Sequence, residues 1–439
     1  MKPNGLTISV VLLAIFGGLV WWSNKHQAAS GRTTDKTTKL LTIPEDQFQS
    51  IHVKKVTGEV IDLEKQDGKW KITQPVQLPA DQDAVSSMVT NLASLNADST
   101  VDEKAGDLKP YGLGDPTLDI QIKLKNGKSD EVLIGDDTPT GSGAYAKVPG
   151  SPKVVTVASF VKSSFDKRPD DLRDKRLLTF DQDKLTRVEL QAKGAPVEFG
   201  KDSQNEWQIV KPRPLRADSS SVFSLVDKVR DAKMDLTATG DPAKAWGGAT
   251  HVATVTVTDP SGNQTLEIRK DKDKNYYAKS STVAGVFKTS SDVGDALDKS
   301  LDDFRNKKLF DFGFSDPNKV ELKNSVYTKS GDKWMSNGKA MDNASVQSLI
   351  DKLRDLSATK FVESGNITGA GSATEPVFEA AVTSNNGKRL EKVTIHKQGT
   401  RYFAQREGEP SIYELDSKSV EDLQKAAGDV KPAAPAPKK

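Results

Sequence analysis

Three tryptophans, Trp70, Trp207 and Trp334, open matching stretches of the chain, and this recurrence constrains the fold more than any other feature. A segment repeated in tandem is one supersecondary unit folded the same way each time, with the terminal copies atypical. Downstream of each tryptophan lies an aspartate suited to capping a helix N-terminus: Asp81, Asp218 and Asp342. Apolar residues then fall at Val85, Met88, Val89, Leu92 and Leu95 in the first copy. They recur at Val346, Leu349, Ile350, Leu353 and Leu356 in the third, and at Val222, Leu225, Val226 and Val229 in the second. That i, i+3, i+4, i+7 spacing predicts one amphipathic helix with a single buried stripe per copy.

Alternating strands flank the helix. Before it run Ile51, Val53, Ile61 and Leu63, or Val188, Leu190, Val197 and Phe199. After it Leu118, Ile120, Ile122 and Leu124 lead into Asn126 and Gly127, Ala253, Val255 and Val257 lead into a Pro260 turn, and Phe378, Ala380 and Val382 lead into Asn386 and Gly387. Period two closed by such turns predicts antiparallel hairpins solvated on one face. An aromatic strand follows, with Tyr145, Tyr277 or Tyr402 and Phe403, and then a second helix over 160–172, 296–304 or 420–427. The expected fold class is therefore α+β: three tandem modules, each a largely antiparallel sheet with two helices, behind one N-terminal transmembrane helix. The modules are placed at 41–180, 181–312 and 313–428, with a disordered Pro/Ala tail at 429–439.

The transmembrane expectation comes from residues 6–22, an uncharged run from Leu6 to Trp22 behind a short N-tail at 1–5. It is at the short end of what spans a hydrocarbon layer about 30 Å thick, and Trp21 and Trp22 suit an interfacial belt. The competing reading is a cleaved signal peptide, with small residues at Ala28, Ala29 and Ser30. The apolar run exceeds a usual signal core, which favours an anchor with the bulk of the chain outside the cytoplasm. Residues 23–40 are polar and read as a flexible tether.

Several of these elements together resemble a known family. They are Lys109, Pro110, Tyr111, Gly112, Leu113 and Gly114 before an alternating strand, the Leu133, Ile134, Gly135 strand end, the Tyr145 strand, Leu172 to Lys175 and the Trp70 motif. The chain resembles, over about 41–428, a bacterial family of membrane-anchored, tandemly repeated domains of unknown function, often encoded near gliding-motility-type ABC transporter auxiliary proteins. The resemblance implies a membrane setting and protein partners but no chemistry. The second and third copies depart from the Tyr-Gly-Leu element, with Ala245, Trp246, Gly247 and Gly248, and with Gly369, Ala370 and Gly371.

Residues that could carry chemistry are few. Lys plus Arg number 63 and Asp plus Glu 61, mixed along the chain, so no basic stripe for nucleic acid stands out. There is no cysteine, which removes disulfides, thiolate metal sites and a cysteine nucleophile. The four histidines, His26, His52, His251 and His396, fall at non-equivalent repeat positions without metal-ligand spacing. Asp271, Asp273 and Asn275 imitate the start of a calcium loop, but Tyr276 stands where glycine is required. The pairs Asp136–Asp137, Asp170–Asp171 and Asp302–Asp303 read as solvated surface rather than convergent acid–base partners. The pairs Gly112/Gly114 and Gly141/Gly143 read as loop glycines. Trp70, Trp207 and Trp334 read as repeat-core plugs, with sugar stacking as the competing role.

The expectation is a protein with no catalytic, cofactor or metal site. It would be a non-enzymatic, single-pass, extracytoplasmic accessory or scaffold at the cell membrane, contacting the bilayer through 6–22 and serving protein partners, plausibly an ABC-type transporter complex. The alternative is a cell-wall or glycan-binding protein.

Overall fold

A computed structural model describes residues 38–312, 317–362 and 375–434. The chain forms two compact units, Met1–Lys175 and Arg176–Lys439. The first holds one large sheet and the second holds two.

The first sheet has nine strands. Its order in space is Leu78–Pro79, Lys69–Gln74, Val60–Gln66, Phe48–Lys55, Leu118–Leu124, Ser129–Asp137, Gly143–Lys147, Val154–Ala158 and Ser99–Asp102. Every pairing is antiparallel. Alternation sends Ile51, Val53, Leu118, Ile120 and Ile122 to one face, where they are buried against the helix Gln82–Ala93. That helix contributes Val85, Met88, Val89 and Leu92, each stabilising by roughly 1.5–3 kcal/mol on burial.

In the second unit the same order recurs twice. One sheet runs Leu215–Arg216, Trp207–Lys211, Val197–Lys201, Arg187–Gln191, Thr250–Asp259, Gly262–Lys270, Tyr276–Ser280 and Phe287–Thr289. The other runs Lys339–Ala340, Lys333–Ser336, Ser325–Ser330, Lys319–Leu322, Phe378–Ser384, Arg389–Gln398, Arg401–Arg406, Ile412–Leu415 and Ala358–Val362. The helices Ser219–Arg230 and Asn343–Asp355 occupy the place of Gln82–Ala93.

The expected fold class is corrected. Strand outweighs helix, 42 % to 23 %, in three sheet-dominated modules. Among the described residues only the third module has two helices, the second of them, Ser417–Gly428, where one was expected over 420–427. The second helix expected over 160–172 is broken into Ser159–Phe165 and Pro169–Leu172, because Arg168 precedes a proline and adopts extended backbone. The one expected over 296–304 is replaced by Ser291–Leu297 and a single 3₁₀ turn at Leu301–Asp303. The second module has a further helix, Pro242–Gly248, that periodicity did not announce. No helix among the described residues is long and apolar enough to cross a membrane. Leu6 and Trp22, the ends expected for the anchor, lie outside the described residues.

Each module closes on itself in the same way. The chain leaving the last helix returns to the residue before the first, so that the Asp81 N–H donates to Leu172 O at 2.8 Å and the Asp218 N–H to Phe304 O at 2.7 Å. The Asp342 N–H likewise donates to Lys431 O at 2.9 Å, and the Ala433 N–H to Ala340 O at 2.9 Å. Residues 431–433, placed by sequence in a disordered tail, therefore pair with the third module.

Candidate functional site

The residues singled out by the repeat are spent on structure. Asp81 accepts from the backbone N–H of Asp83 and Ala84 at 3.0 and 3.1 Å, Asp218 from that of Ser221 at 2.7 Å, and Asp342 from that of Ser345 at 2.9 Å. Trp70, Trp207 and Trp334 are buried, with 5 %, 2 % and 5 % of their surface exposed. Their faces are closed to a sugar ring by packing, and the ammoniums of Lys65 and Lys201 stand 5.7 and 5.2 Å from the Trp70 and Trp207 rings. The side chain of Gln82 clamps the first tryptophan strand, accepting from the Trp70 N–H at 2.9 Å and donating to its carbonyl at 3.0 Å. Asn343 accepts from the Trp334 N–H at 3.2 Å.

The remaining candidates are satisfied locally. Asp271 accepts from the N–H groups of Asp273 and Asn275 and from the Tyr277 hydroxyl, which makes it the keystone of a hairpin turn. Asp137 pairs with Lys162 at 2.8 Å, Asp171 with Arg168 at 3.3 Å and Asp302 with Arg305 at 3.0 Å. His52 lies 2.5 Å from Asp62 across one strand pair, and His251 lies 3.0 Å from the Thr254 hydroxyl. His396 sits on another strand opposite Phe403. His26 lies outside the described residues. Among the described residues no group of three potential metal ligands converges.

Glycines of the resemblance element have a steric reason. A Cβ on Gly135 would lie 2.1 Å from Tyr111 O, and one on Gly112, at φ 64°, would lie 2.4 Å from the Asp136 carboxyl carbon. The turn at Lys109–Tyr111 thus presses on the Ser129–Asp137 strand, and Tyr111 meets Tyr145 edge to face at 5.1 Å. In the second module the pair Trp246 and Tyr277 occupies this outer position, roofed by the Arg269 guanidinium at 4.5 Å and the Lys279 ammonium at 4.9 Å from the indole.

The densest polar feature joins the second and third sheets within the Arg176–Lys439 unit. Arg406 and Glu391, 8 % and 4 % exposed, pair at 3.0 Å. Arg406 also donates to Glu409 at 2.7 Å and to the carbonyl of Leu309. Arg216, from the edge strand of the second sheet, donates to Glu409 at 2.7 Å and to the Tyr413 hydroxyl at 3.3 Å, and Tyr413 donates to Glu409 at 2.5 Å. The N–H of Asp311 donates to both Glu391 oxygens, at 3.2 and 3.1 Å. Arg305, 5 % exposed, donates to the Ser411 hydroxyl at 2.8 Å and lies 3.4 Å over the Phe361 ring. One nitrogen of Arg216 is without a hydrogen bond and stands 3.9 Å from Asp311, a charge contact alone.

Electrostatics follow from this packing. Burial acts to raise the Glu409 carboxyl, but Arg216 and Arg406 outweigh it and hold the group below its usual range. Burial pushes the Tyr413 hydroxyl up, opposed by Arg216 and reinforced by Glu409. The arrangement ties the edge of the second sheet to the third. Sequence reading missed it, although one signal was present. Glu391 shares the inward parity of Val393 and Ile395, and Arg406 that of Tyr402 and Ala404, so both are charges on the buried face of a period-two pattern.

Fold and site together define a tandem-repeat protein of antiparallel sheets with structural polar joints. The chain belongs to the family described as Domain of unknown function (DUF4340), whose model matches residues 70–208 and 207–376. The two matches meet at the Trp207 strand, and each begins at a repeated tryptophan, Trp70 or Trp207. No curated protein and no solved structure matches the chain.

Proposed function

We propose that this chain is a non-enzymatic accessory or scaffold protein held at a membrane by its apolar segment 6–22, with its sheet modules outside the cytoplasm serving protein partners of an ABC-type transporter complex. The observation that carries the reading is the joint in which Arg216, on the second sheet's edge, donates to Glu409 and Tyr413 of the third, with Glu409 itself held by the buried Arg406–Glu391 pair, so that two modules are tied together. A protein that presents several surfaces at set spacings needs that rigidity. The apolar run 6–22 supports the membrane setting. A glycan-binding role finds less support, because the three repeated tryptophans are buried.

The cysteine-free sequence makes the topology testable. Ser203→Cys introduces a unique thiol, and labelling of intact cells by an impermeant maleimide is expected without lysis. Affinity capture of the full chain from gently solubilised membranes is expected to recover the same membrane-complex subunits in repeated preparations. Labelling only after lysis, or capture with no reproducible partner, would overturn the proposal.

A further inference from the structure

The most exposed large apolar side chains of the first unit are Phe160 at 67 %, Val56 at 61 % and Val76 at 61 %, and the strand register places all of them at one end of its sheet. Phe48–Lys55 ends at the turn that carries Val56, and Lys69–Gln74, running the same way, ends just before Val76. Val154–Ala158 also ends there, opposite the start of Gly143–Lys147, and Phe160 follows it in the helix Ser159–Phe165. That helix runs along this end towards Val56, because its C-cap residue Asp166 pairs with Lys55 at 3.0 Å. The matching helices of the other modules also begin with serine, but they carry Asp292 and Lys418 where the first carries Phe160.

The surroundings of Phe160 carry little net charge. The hairpin tip beside it, residues 138–142, is Thr-Pro-Thr-Gly-Ser, and its hydroxyls bond one another, Thr138 to Thr140 at 3.2 Å and Thr140 to Ser142 at 2.8 Å. The Ser159 N–H donates to Ser142 O at 3.2 Å, which seats the tip next to Phe160. Asp137 is paired with Lys162, and Glu59 and Asp166 with Lys55. The turns at the opposite end of the sheet differ, with Asp67 and Lys69 in one and Lys125 and Lys128 in another. The chain also enters the unit at the Phe160 end. Thr38 pairs with Ala97, and the Asp98 N–H donates to Thr156 O at 2.8 Å, beside the last residues of Val154–Ala158. Residues 23–37 separate that entry from the apolar run 6–22, and a polar linker of this length spans about 20 Å.

We propose that this end of the first unit rests on the lipid bilayer, with Phe160 and the uncharged hairpin tip seated among the headgroups and Val56 and Val76 facing the same layer. Aromatic side chains favour the membrane–water interface. A few apolar groups bind a bilayer weakly by themselves, and a short linker to an anchored segment supplies the high local concentration that makes such a contact persist. The inference rests on the reading of 6–22 as a membrane anchor, and adds the surface of the folded chain that meets the lipid.

The cysteine-free sequence allows a single polar fluorophore at Thr140→Cys, on the hairpin tip, or at Lys128→Cys, about 30 Å away at the other end of the Ser129–Asp137 strand. Each labelled full chain is reconstituted into phosphatidylcholine vesicles that contain a headgroup-nitroxide lipid, and flotation and quenching are read on the same sample. Both chains are expected to float with the vesicles, with the Thr140 label quenched more strongly than the Lys128 label. Phe160→Ser, a change at an exposed side chain, is expected to bring the Thr140 quenching down to the Lys128 level while flotation persists. Equal quenching of the two labels in the chain that keeps Phe160, or quenching that survives Phe160→Ser, overturns the proposal and leaves the anchor reading standing. A chain that does not float overturns both.

Discussion

Glu391 shows how much a single side chain can hold in this fold. It is 4 % exposed and accepts from Arg406 and from the Asp311 N–H. Removing its charge leaves Arg406 buried with less compensation, and breaking a buried pair from one side costs about 3 kcal/mol. Glu391→Gln is expected to destabilise the Arg176–Lys439 unit by that order, read as a lower urea midpoint at unchanged slope. Glu409 adds a pH dependence whose sign is fixed by its partners. Its carboxyl is held below the usual range in the folded chain, so the unfolded chain binds the proton first on acidification. The stabilisation is full above about pH 4.3, the ordinary glutamate value, and is lost as pH falls through the lower folded value. Glu409→Gln is therefore expected to be less stable than the parent at pH 7, with the gap closing below about pH 4 in urea titrations. A gap that stays constant with pH would refute this account. None of these partnerships was legible in sequence, because Arg216 and Glu409 lie 193 residues apart. Only the inward parity of Glu391 and Arg406 hinted that something must meet them.

At the scale of elements, what periodicity can express was legible. The helices Gln82–Ala93, Ser219–Arg230 and Asn343–Asp355 and their capping aspartates stand where the stripe and the Asp placed them, since local spacing dictates both. Short edge strands such as Phe287–Thr289 were not legible, because three residues carry no period and their pairing is decided across the fold. The helix Ser291–Leu297 illustrates a conflict between local propensity and packing. Alanine in place of a helix-interior glycine stabilises by up to about 1 kcal/mol where space allows. At Gly294 a Cβ would lie 2.0 Å from the Tyr276 ring, whose hydroxyl donates to Asp295 at 2.6 Å and is held in place by that bond. Gly294→Ala is therefore expected to destabilise by roughly 1–3 kcal/mol, against the propensity trend. Chemical denaturation decides the sign. A stabilised variant would mean that Tyr276 yields, and a slackened Tyr276–Asp295 bond would show as a lowered tyrosine titration.

At the scale of the molecule, the question is whether the three sheets behave as beads or as larger bodies. Repeat arrays are often described by intrinsic unit stabilities plus nearest-neighbour terms, so strong coupling makes neighbours unfold together. The second and third sheets have separate hydrophobic cores, which alone would let each open by itself. Their polar joint opposes that. Arg216 of the second sheet's edge donates to Glu409 and to the Tyr413 hydroxyl of the third, and Arg305 to the Ser411 hydroxyl. Opening the second sheet would strip the half-buried Glu409 of one of its two counter-charges, Arg216, at a cost of about 3 kcal/mol, a large share of a marginal domain's stability. Coupled opening follows. In amide exchange of the full chain, the core strand amides near Val255 and Val257 and those near Val393 and Ile395 are expected to share one opening free energy within about 1 kcal/mol. The double variant Arg216→Ala, Arg305→Ala removes the links to Glu409, Tyr413 and Ser411 while leaving both hydrophobic cores intact. It is expected to split the two sets and to resolve one calorimetric transition into two. If the sets already differ in the parent chain, the joint merely decorates a contact and the sheets are independent beads. If they separate only in the variant, the joint makes one rigid body of two repeats, the property that an accessory protein presenting fixed surfaces requires.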